Sequence, residues 1–561
     1  MLMQIIKSFF KIIFFISPIT ISAQSTYFSS GSKEYQFIDR IEIKQQNNTD
    51  LNFSALRPYN RKYVLQEVSF LDSQLKSNHL SASDQYNLES LLMNNKEWSN
   101  GSSSNFISKK SVLKTFYKSK SNFLEVNNKD FFLAINPVLN FNFGKESGNA
   151  SRLFLNSRGV TIRGRIAGKI GFSSTIIDNQ ERGPLFYQQQ VNNLRAVPGN
   201  GFYKVYKKDL SAQDYFDGRG YLTFNATKFI DLQLGYDKNF IGNGYRSLFL
   251  SDWGNSYLFA KINTRIWKLN YQNIFMELMP QFKKNGDSLL VRKYSAMHHL
   301  SMNVTKWLNV GLFEGVMFGR KDHFDFQYLN PIIFYRHIEG SIGSPDNAVA
   351  GLDFKANVLH KAQFYGQFLL DEFILSKIKN EPSNWVNKFG IQLGAKYIDA
   401  FGVKNLDLQL EINRVRPFTY SHNDTINNYT HYNQPLAHPL GANFQELISI
   451  VRYQPFPKWN IYARAIYYYK GMDTANANFG GNIFKNYNTR LSETGFNIGS
   501  GDKATCLNTV LNVSYEYRQN LFFEAGVQQR NYKLASSGSS SNSTTFNAGI
   551  RLNLNKREYD F

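Results

Sequence analysis

Val160-Thr161-Ile162-Arg163-Gly164-Arg165-Ile166-Ala167-Gly168-Lys169-Ile170-Gly171-Phe172 is the stretch on which the fold class turns. In an extended chain, Val160, Ile162, Gly164, Ile166, Gly168, Ile170 and Phe172 share one face. Thr161, Arg163, Arg165, Ala167, Lys169 and Gly171 share the other. Read as one strand, the run is longer than the roughly five or six residues usual in soluble sandwiches. It suits a tilted membrane strand with lipid on one side and water on the other. The period recurs along the chain. Leu406, Leu408, Leu410 and Ile412 alternate with Asp407, Gln409, Glu411 and Asn413, and Leu511, Val513, Tyr515 and Tyr517 with Asn512, Ser514, Glu516 and Arg518. Phe546, Ala548, Ile550, Leu552 and Leu554 alternate with Asn547, Gly549, Arg551, Asn553 and Asn555. Charge is costly against acyl chains, so the charged positions are expected to face the lumen.

Composition narrows the alternatives. The chain is 42% hydrophobic, 16% aromatic and only 19% charged, which excludes a disordered protein. After residue 23 no run approaches the ~18 apolar residues of a membrane helix. An aromatic chain that is apolar in alternation but not in runs has one membrane solution, a closed β-barrel. A large secreted sandwich or propeller is the soluble alternative. The single cysteine, Cys506, excludes an internal disulfide framework and any multi-cysteine metal site.

Residues 1–23 read as a secretory signal peptide, with Lys7 and Lys11 ahead of the apolar Ile12 to Ile19 and cleavage expected near Ala23-Gln24. The destination expected for the mature chain is the outer membrane, with its lipid and its barrel-assembly machinery as partners. The formal charge is +21, and most of the excess falls after residue 130. For a secreted chain this points to anionic glycans or lipid headgroups and away from nucleic acid.

From residue 24 to about 128 the period is helical. Val64, Leu65, Val68, Leu71 and Leu75 predict one helix after Pro58 and before Ser77-Asn78. A second is predicted from an N-cap at Ser83 through Leu88, Leu91 and Leu92, and a third around Val112, Leu113, Phe116 and Tyr117, with a loop at Ser99 to Ser104 between them. Residues 129–561 then form the barrel. At roughly 24 residues per strand and connection they give about 18 antiparallel strands, within a range of 16–18. Turn signals include Asp237-Lys238-Asn239, Asn285-Gly286-Asp287, Gly319 to Asp322 and Gln454 to Pro457. Residues 418–442 and 471–503 are long loops rich in Gly, Asn and Thr, suited to binding at the outer face, and 176–217 reads as a third irregular stretch.

No nucleophile elbow, zinc-protease motif or phosphate-binding loop is present, and the reading is non-enzymatic, with no metal and no cofactor. Adjacent His298 and His299 point to opposite faces of a strand, as do Asp371 and Glu372; His337 and Glu339 share a face if extended, which is too few ligands for a metal. Candidate luminal and glycan-binding residues are Arg163, Arg165, Lys169, Arg336, Asp346 and Asn347. Asp346 and Asn347 lie in Gly343-Ser344-Pro345-Asp346-Asn347, which is also good chemistry for a simple tight turn. Asn547 to Leu554 resembles the final-strand signal read by the barrel-assembly machinery, carried by Gly549, Leu552 and Leu554 and completed by the terminal aromatic Phe561.

Longer segments carry a family resemblance. Residues 327–373, Phe131 to Val138, Ser157 to Gly164 and Asp178 to Arg182 resemble the gliding-motility RemB-type outer-membrane proteins of Bacteroidetes. They resemble the Wzi capsule-assembly family more distantly, as does Leu56 to Arg61. The resemblance implies a helical N-terminal module ahead of an 18-stranded barrel and a role at the cell surface. The first likeness implies support of gliding through polysaccharide or adhesins. The second implies a lectin that attaches capsular polysaccharide. A diffusion porin is the third reading. A plugged 22-stranded transporter would need a longer chain.

Overall fold

The computed structural model describes residues 25–561 apart from 48, 76–79, 99–105, 110, 114, 208–210, 281–288, 333 and 373. The signal peptide and its cleavage site, Ser77-Asn78, the Ser99 to Ser104 loop and the Asn285 to Asp287 turn lie outside the described residues. Eighteen antiparallel strands close into one barrel. They are β1 Phe131–Glu146, β2 Arg152–Ile166, β3 Ile170–Arg182, β4 Ala212–Thr227, β5 Ile230–Asp237 and β6 Tyr257–Ile266. Then come β7 Leu269–Leu278, β8 Lys293–Asn303, β9 Leu308–Phe318, β10 Asn347–Val358, β11 Ala362–Glu372 and β12 Lys388–Tyr397. The last six are β13 Leu406–Val415, β14 Phe444–Phe456, β15 Trp459–Met472, β16 Asp502–Arg518, β17 Leu521–Leu534 and β18 Ser540–Leu552. The seam is β18 on β1, from Thr545 opposite Glu146 to Leu552 opposite Leu139. Every stave therefore has a neighbour on both sides, as a bilayer requires of backbone polar groups.

The deciding stretch is two strands rather than one. Ala167 and Gly168 take positive φ of 48° and 63°, and a three-residue turn returns the chain so that Ile166 pairs with Ile170. A turn of odd length conserves parity: Ile166 and Ile170 stay on the lipid side, and the alternation runs through the hairpin unbroken. Lys169 is consequently exposed in the turn and does not line the lumen. The irregular stretch expected over 176–217 is shorter, because β3 runs to Arg182 and β4 starts at Ala212.

Elsewhere the alternation sorts as expected. Asp407, Glu411, Glu516 and Arg551 face inward, and Leu410, Leu511 and Ile550 face out. Arg158 and Asp178 are an outward pair, 3.4 Å apart on neighbouring strands. Connections at one end have two to eight residues, and several at the other have fourteen or more. By the barrel rule the short end is periplasmic and the long end extracellular.

Among the described residues three α-helices precede the barrel: α1 Glu34–Gln45, α2 Arg61–Leu75 and α3 Ala82–Asn94. Ser81, not Ser83, caps α3, accepting the Asp84 N–H at 2.9 Å. The described residues around Val112 to Tyr117 form no helix; Val112 and Phe116 form an isolated antiparallel bridge. Phe37, Ile38, Ile41, Val64, Leu65, Leu88 and Leu91 make the module's apolar core.

The module seats in the periplasmic mouth, and its contacts reach around the wall. Ser25 carbonyl accepts from Thr223 on β4, Tyr63 donates to Asp231 on β5, Lys396 on β12 pairs with Asp39 at 2.8 Å, and Lys33 pairs with Glu516 on β16. Arg40 is the densest contact, nearly buried and paired with Asp84, Asp399 and Asp407. Burial works to raise the Asp84 carboxyl, but Arg40 and Lys44 hold it below the usual range, and Arg40 does the same for Asp399. Carboxylates so depressed stabilise docking above their ordinary pKa and lose it only as pH falls through the lowered value. Removing one partner of a buried pair costs about 3–5 kcal/mol. Arg40→Ala is therefore expected to lower stability by about that much, seen as a lower guanidinium midpoint and faster proteolysis of the module. In the wild type, module protection should persist down to about pH 4 and fail below it.

Candidate functional site

Inside the wall, two extracellular loops fold inward. Residues 238–256 bring Ile241, Leu248, Phe249 and Leu250 against inward residues of the wall, among them Ile274, Phe313, Leu369 and Ile448. Residues 416–443 cover them: Tyr420 hydroxyl donates to Leu248 carbonyl at 2.8 Å and Tyr429 hydroxyl to Phe249 carbonyl at 2.6 Å. One side of the lumen is thus an apolar core. His431 pins this core as a neutral ring. Its Nδ1 accepts the Met279 N–H at 3.1 Å and its Nε2 donates to Ser256 carbonyl at 3.0 Å. Burial pushes its pKa down to about 4. A histidine with a lowered pKa gives stability that is complete above its ordinary pKa and lost as pH falls toward the lowered one. Hydrogen exchange of residues 416–443 should therefore quicken between about pH 6.5 and 4, and His431→Gln should remove that pH dependence.

The other side of the lumen is polar and holds cavities of about 380 and 560 Å³. Both are lined by Lys238, Arg551, Lys556 and Arg557. Past β18 the chain turns inward between them. Arg557 pairs with Glu181 at 3.2 Å, which also accepts from the Tyr187, Tyr215 and Tyr559 hydroxyls. Glu558 pairs with Arg464, and Asp560 with Arg246 at 2.8 Å. Burial opposes the Asp560 charge, but Arg246 and Arg464 hold its pKa below the usual range. Burial, with Arg219 beside it, pushes the Lys238 ammonium down to about 8. Phe561 packs on Phe186 and Trp253 inside the barrel, apart from the final strand, which ends at Leu552. Gly549 lies on that strand where a Cβ would come within 2.4 Å of Phe141 carbonyl oxygen. Leu554 lies beyond it, its carbonyl bonded by Arg551.

At the extracellular end, loops 373–387, 416–443 and 473–501 meet in an aromatic and cationic platform. Trp385 and Tyr487 lie 4.8 Å apart between ring centres, and Arg490 sits 3.7 Å over Trp385. Lys388 lies 4.2 Å over Tyr487, with Glu372 3.1 Å away. Trp385 Nε1 donates to Glu493 at 2.6 Å, and the ring of His422 meets Tyr487 edge-on. Around them Asn488, Thr489, Ser492 and Glu493 are exposed. Aromatic rings held by cations beside exposed amides and hydroxyls suit a polyhydroxylated, anionic ligand.

The structure does not bring the six sequence-predicted residues together. Arg163 faces the lumen but is held by Glu97 and by Asn94 carbonyl at 2.7 Å, and Arg165 lies 5.0 Å over Trp98. Both bind the helical module. Asp346 is buried, taking both arms of Arg320 at 2.7 and 2.6 Å and the Tyr328 hydroxyl at 2.7 Å. Asn347 donates to Asn427 carbonyl at 2.9 Å. Arg336 stands on the outer wall, in helix Tyr335–Ser341, beside Glu339. His337 and Glu339 belong to that helix rather than to a strand. His298 and His299 do take opposite faces, toward Glu314 outside and Asp353 inside. His422, Tyr487 and Arg490 lie in the two loops whose composition marked them for binding, whereas Trp385 lies in the connection after β11 and Lys388 at the start of β12, which sequence reasoning did not mark.

A family model described as capsule assembly protein Wzi matches residues 276–536, from the end of β7 to just past β17. No curated protein sequence matches the chain. Among solved structures, Wzi of Escherichia coli, described as a carbohydrate-binding β-barrel involved in group 1 capsule assembly, aligns at a TM-score of 0.56 and 13% identity, covering 95% of this chain and 100% of that one. The likeness is one of fold. Pseudomonas aeruginosa OprD aligns at 0.41 and 12% identity over 75% of this chain and 93% of that one. OccK8 (OprE) of the same organism aligns at 0.41 and 8% identity over 75% and 97%.

Proposed function

We propose that the chain is a non-enzymatic outer-membrane barrel that binds capsular or extracellular polysaccharide and holds it at the cell surface. The family match over residues 276–536 carries this reading, because it spans all three loops of the platform. The platform supplies rings and cations for an anionic glycan, and the inward loops leave the wall to act as a mount. Nothing in the comparisons supports the motility reading or an adhesin partner. The strand pattern around Gly549 and Leu552 supports hand-over by the barrel-assembly machinery.

A deletion strain, stained for surface polysaccharide and tracked on wet glass, tests this. Cell-bound polysaccharide should fall several-fold, with the lost material in the medium. Normal staining with lost movement would overturn the proposal in favour of motility. On purified protein, Trp385→Ala should weaken binding of the organism's anionic polysaccharide about ten-fold, a loss of about 1.4 kcal/mol, while Leu491→Ala leaves it unchanged. In planar bilayers the wild type should show no steady porin-sized conductance, given the apolar core on one side of its lumen and the helical module and C-terminal residues that fill the rest.

A further inference from the structure

The 28-residue connection between β9 and β10 does not stand over the barrel mouth. The described residues of 319–346, all but 333, lie against the outer wall, on the side that faces lipid. The wall beneath them is unusual. Asn273, His298 and Glu314 are adjacent in register on β7, β8 and β9 and all point outward, yet each is buried. The same row continues through Ile262 on β6 and through Ala350 and Leu370 on β10 and β11, which are apolar. Three polar side chains thus interrupt the membrane band. The connection covers them. Glu314 accepts the Tyr335 and Arg336 N–H groups at 2.9 and 2.8 Å and lies 3.0 Å from His298 Nε2. The Tyr335 ring stacks on His298 at 4.1 Å, and the Tyr271 hydroxyl binds Pro331 carbonyl. Higher on the wall, Phe324 packs on Phe275, Tyr294 and Phe318.

The far surface of this segment sets large apolar side chains among exposed polar ones, with Gln327, Asn330, Arg336 and His337 beside them. Phe326, Ile332 and Phe334 are 78, 84 and 73% exposed. Single exposed apolar side chains are ordinary on a protein surface; several together, continuous with a lipid-facing wall, are a contact surface. We propose that residues 319–346 form a flap immersed in the outer leaflet, whose ligand is the acyl chains of membrane lipid. Three observations carry it: the segment covers the polar row of Asn273, His298 and Glu314, it packs on the outward face of β7 to β9, and it presents Phe326, Ile332 and Phe334 on its own outer side. The flap is also tied to the platform. Asn347 and Asn427 bond across to each other's loops, and Ile426 packs against Gly319. Lipid contact is therefore made by the same segment that braces the inward loop.

Site-directed spin labelling of the full barrel in phosphatidylethanolamine–phosphatidylglycerol vesicles tests the proposal. Cys506 is buried, and unmodified protein gives the background signal. Nitroxides at Ile332→Cys and, as a second position, Phe334→Cys should show high collision with oxygen and low collision with a water-soluble nickel chelate, matching a label at Leu352→Cys on the wall. A label at Leu491→Cys, exposed in the extracellular loop between β15 and β16, should show the reverse. Nickel access at 332 and 334 equal to that at 491 would overturn the proposal. So would low access to both reagents with dipolar broadening between labels, which would make the surface an interface between two copies. Polysaccharide binding is read separately, so failure here leaves the proposed function standing, and the converse holds.

Discussion

A bilayer offers no partner for a backbone amide, and the architecture follows from that. Eighteen staves satisfy one another only because β18 returns to β1. Closure then creates a second problem, an interior wide enough to need filling. The chain fills it from three directions, with the helical module below, two loops from above and the C-terminal residues along one side. Polarity follows the filling. Where loops fold in, the inward wall is Ile, Phe, Met and Val; where they do not, it is Arg, Lys, Asn and Asp around the two cavities.

Many of the inward cations find their place in the same scheme. Inward cations are held by carboxylates from other elements: Arg40 by Asp407, Arg464 by Glu558, Lys355 by Glu42, Arg557 by Glu181. Such pairs are spent on holding inserted segments to the wall and are not free for a ligand. On the extracellular platform the cations are paired as well, Lys388 with Glu372 and Arg490 with Glu493, but they also lie over rings, and the amides and hydroxyls around them stay exposed.

Much of the wall was legible in the sequence because side-chain parity is a local property. Leu406 to Asn413 and Leu511 to Arg518 could be sorted into lipid and lumen faces from eight letters each. Parity is also what hid the hairpin at Ala167: an odd turn leaves the pattern intact, so only the positive φ of Ala167 and Gly168 betrays it. The candidate binding residues are dispersed for a different reason. Alternation says that Arg163 faces inward but not that Glu97, 66 residues away, already occupies it. Asp346 and Asn347 sit in a good turn sequence, and that turn chemistry was the stronger signal. Helix α1 went unread because its apolar positions mean little until α3 and the wall supply a surface to pack on.

The module's contacts have a mechanical meaning. Its partners stand on β2, β4, β5, β10, β12, β13 and β16, distributed around the circumference. They act as spokes on a rim. A barrel resists squashing only through the bending stiffness of its sheet, whereas spokes convert ovalisation into stretching of ion pairs. The complete set of partners also exists only when the hoop is round and shut, so the module's seating is a gauge of a finished wall.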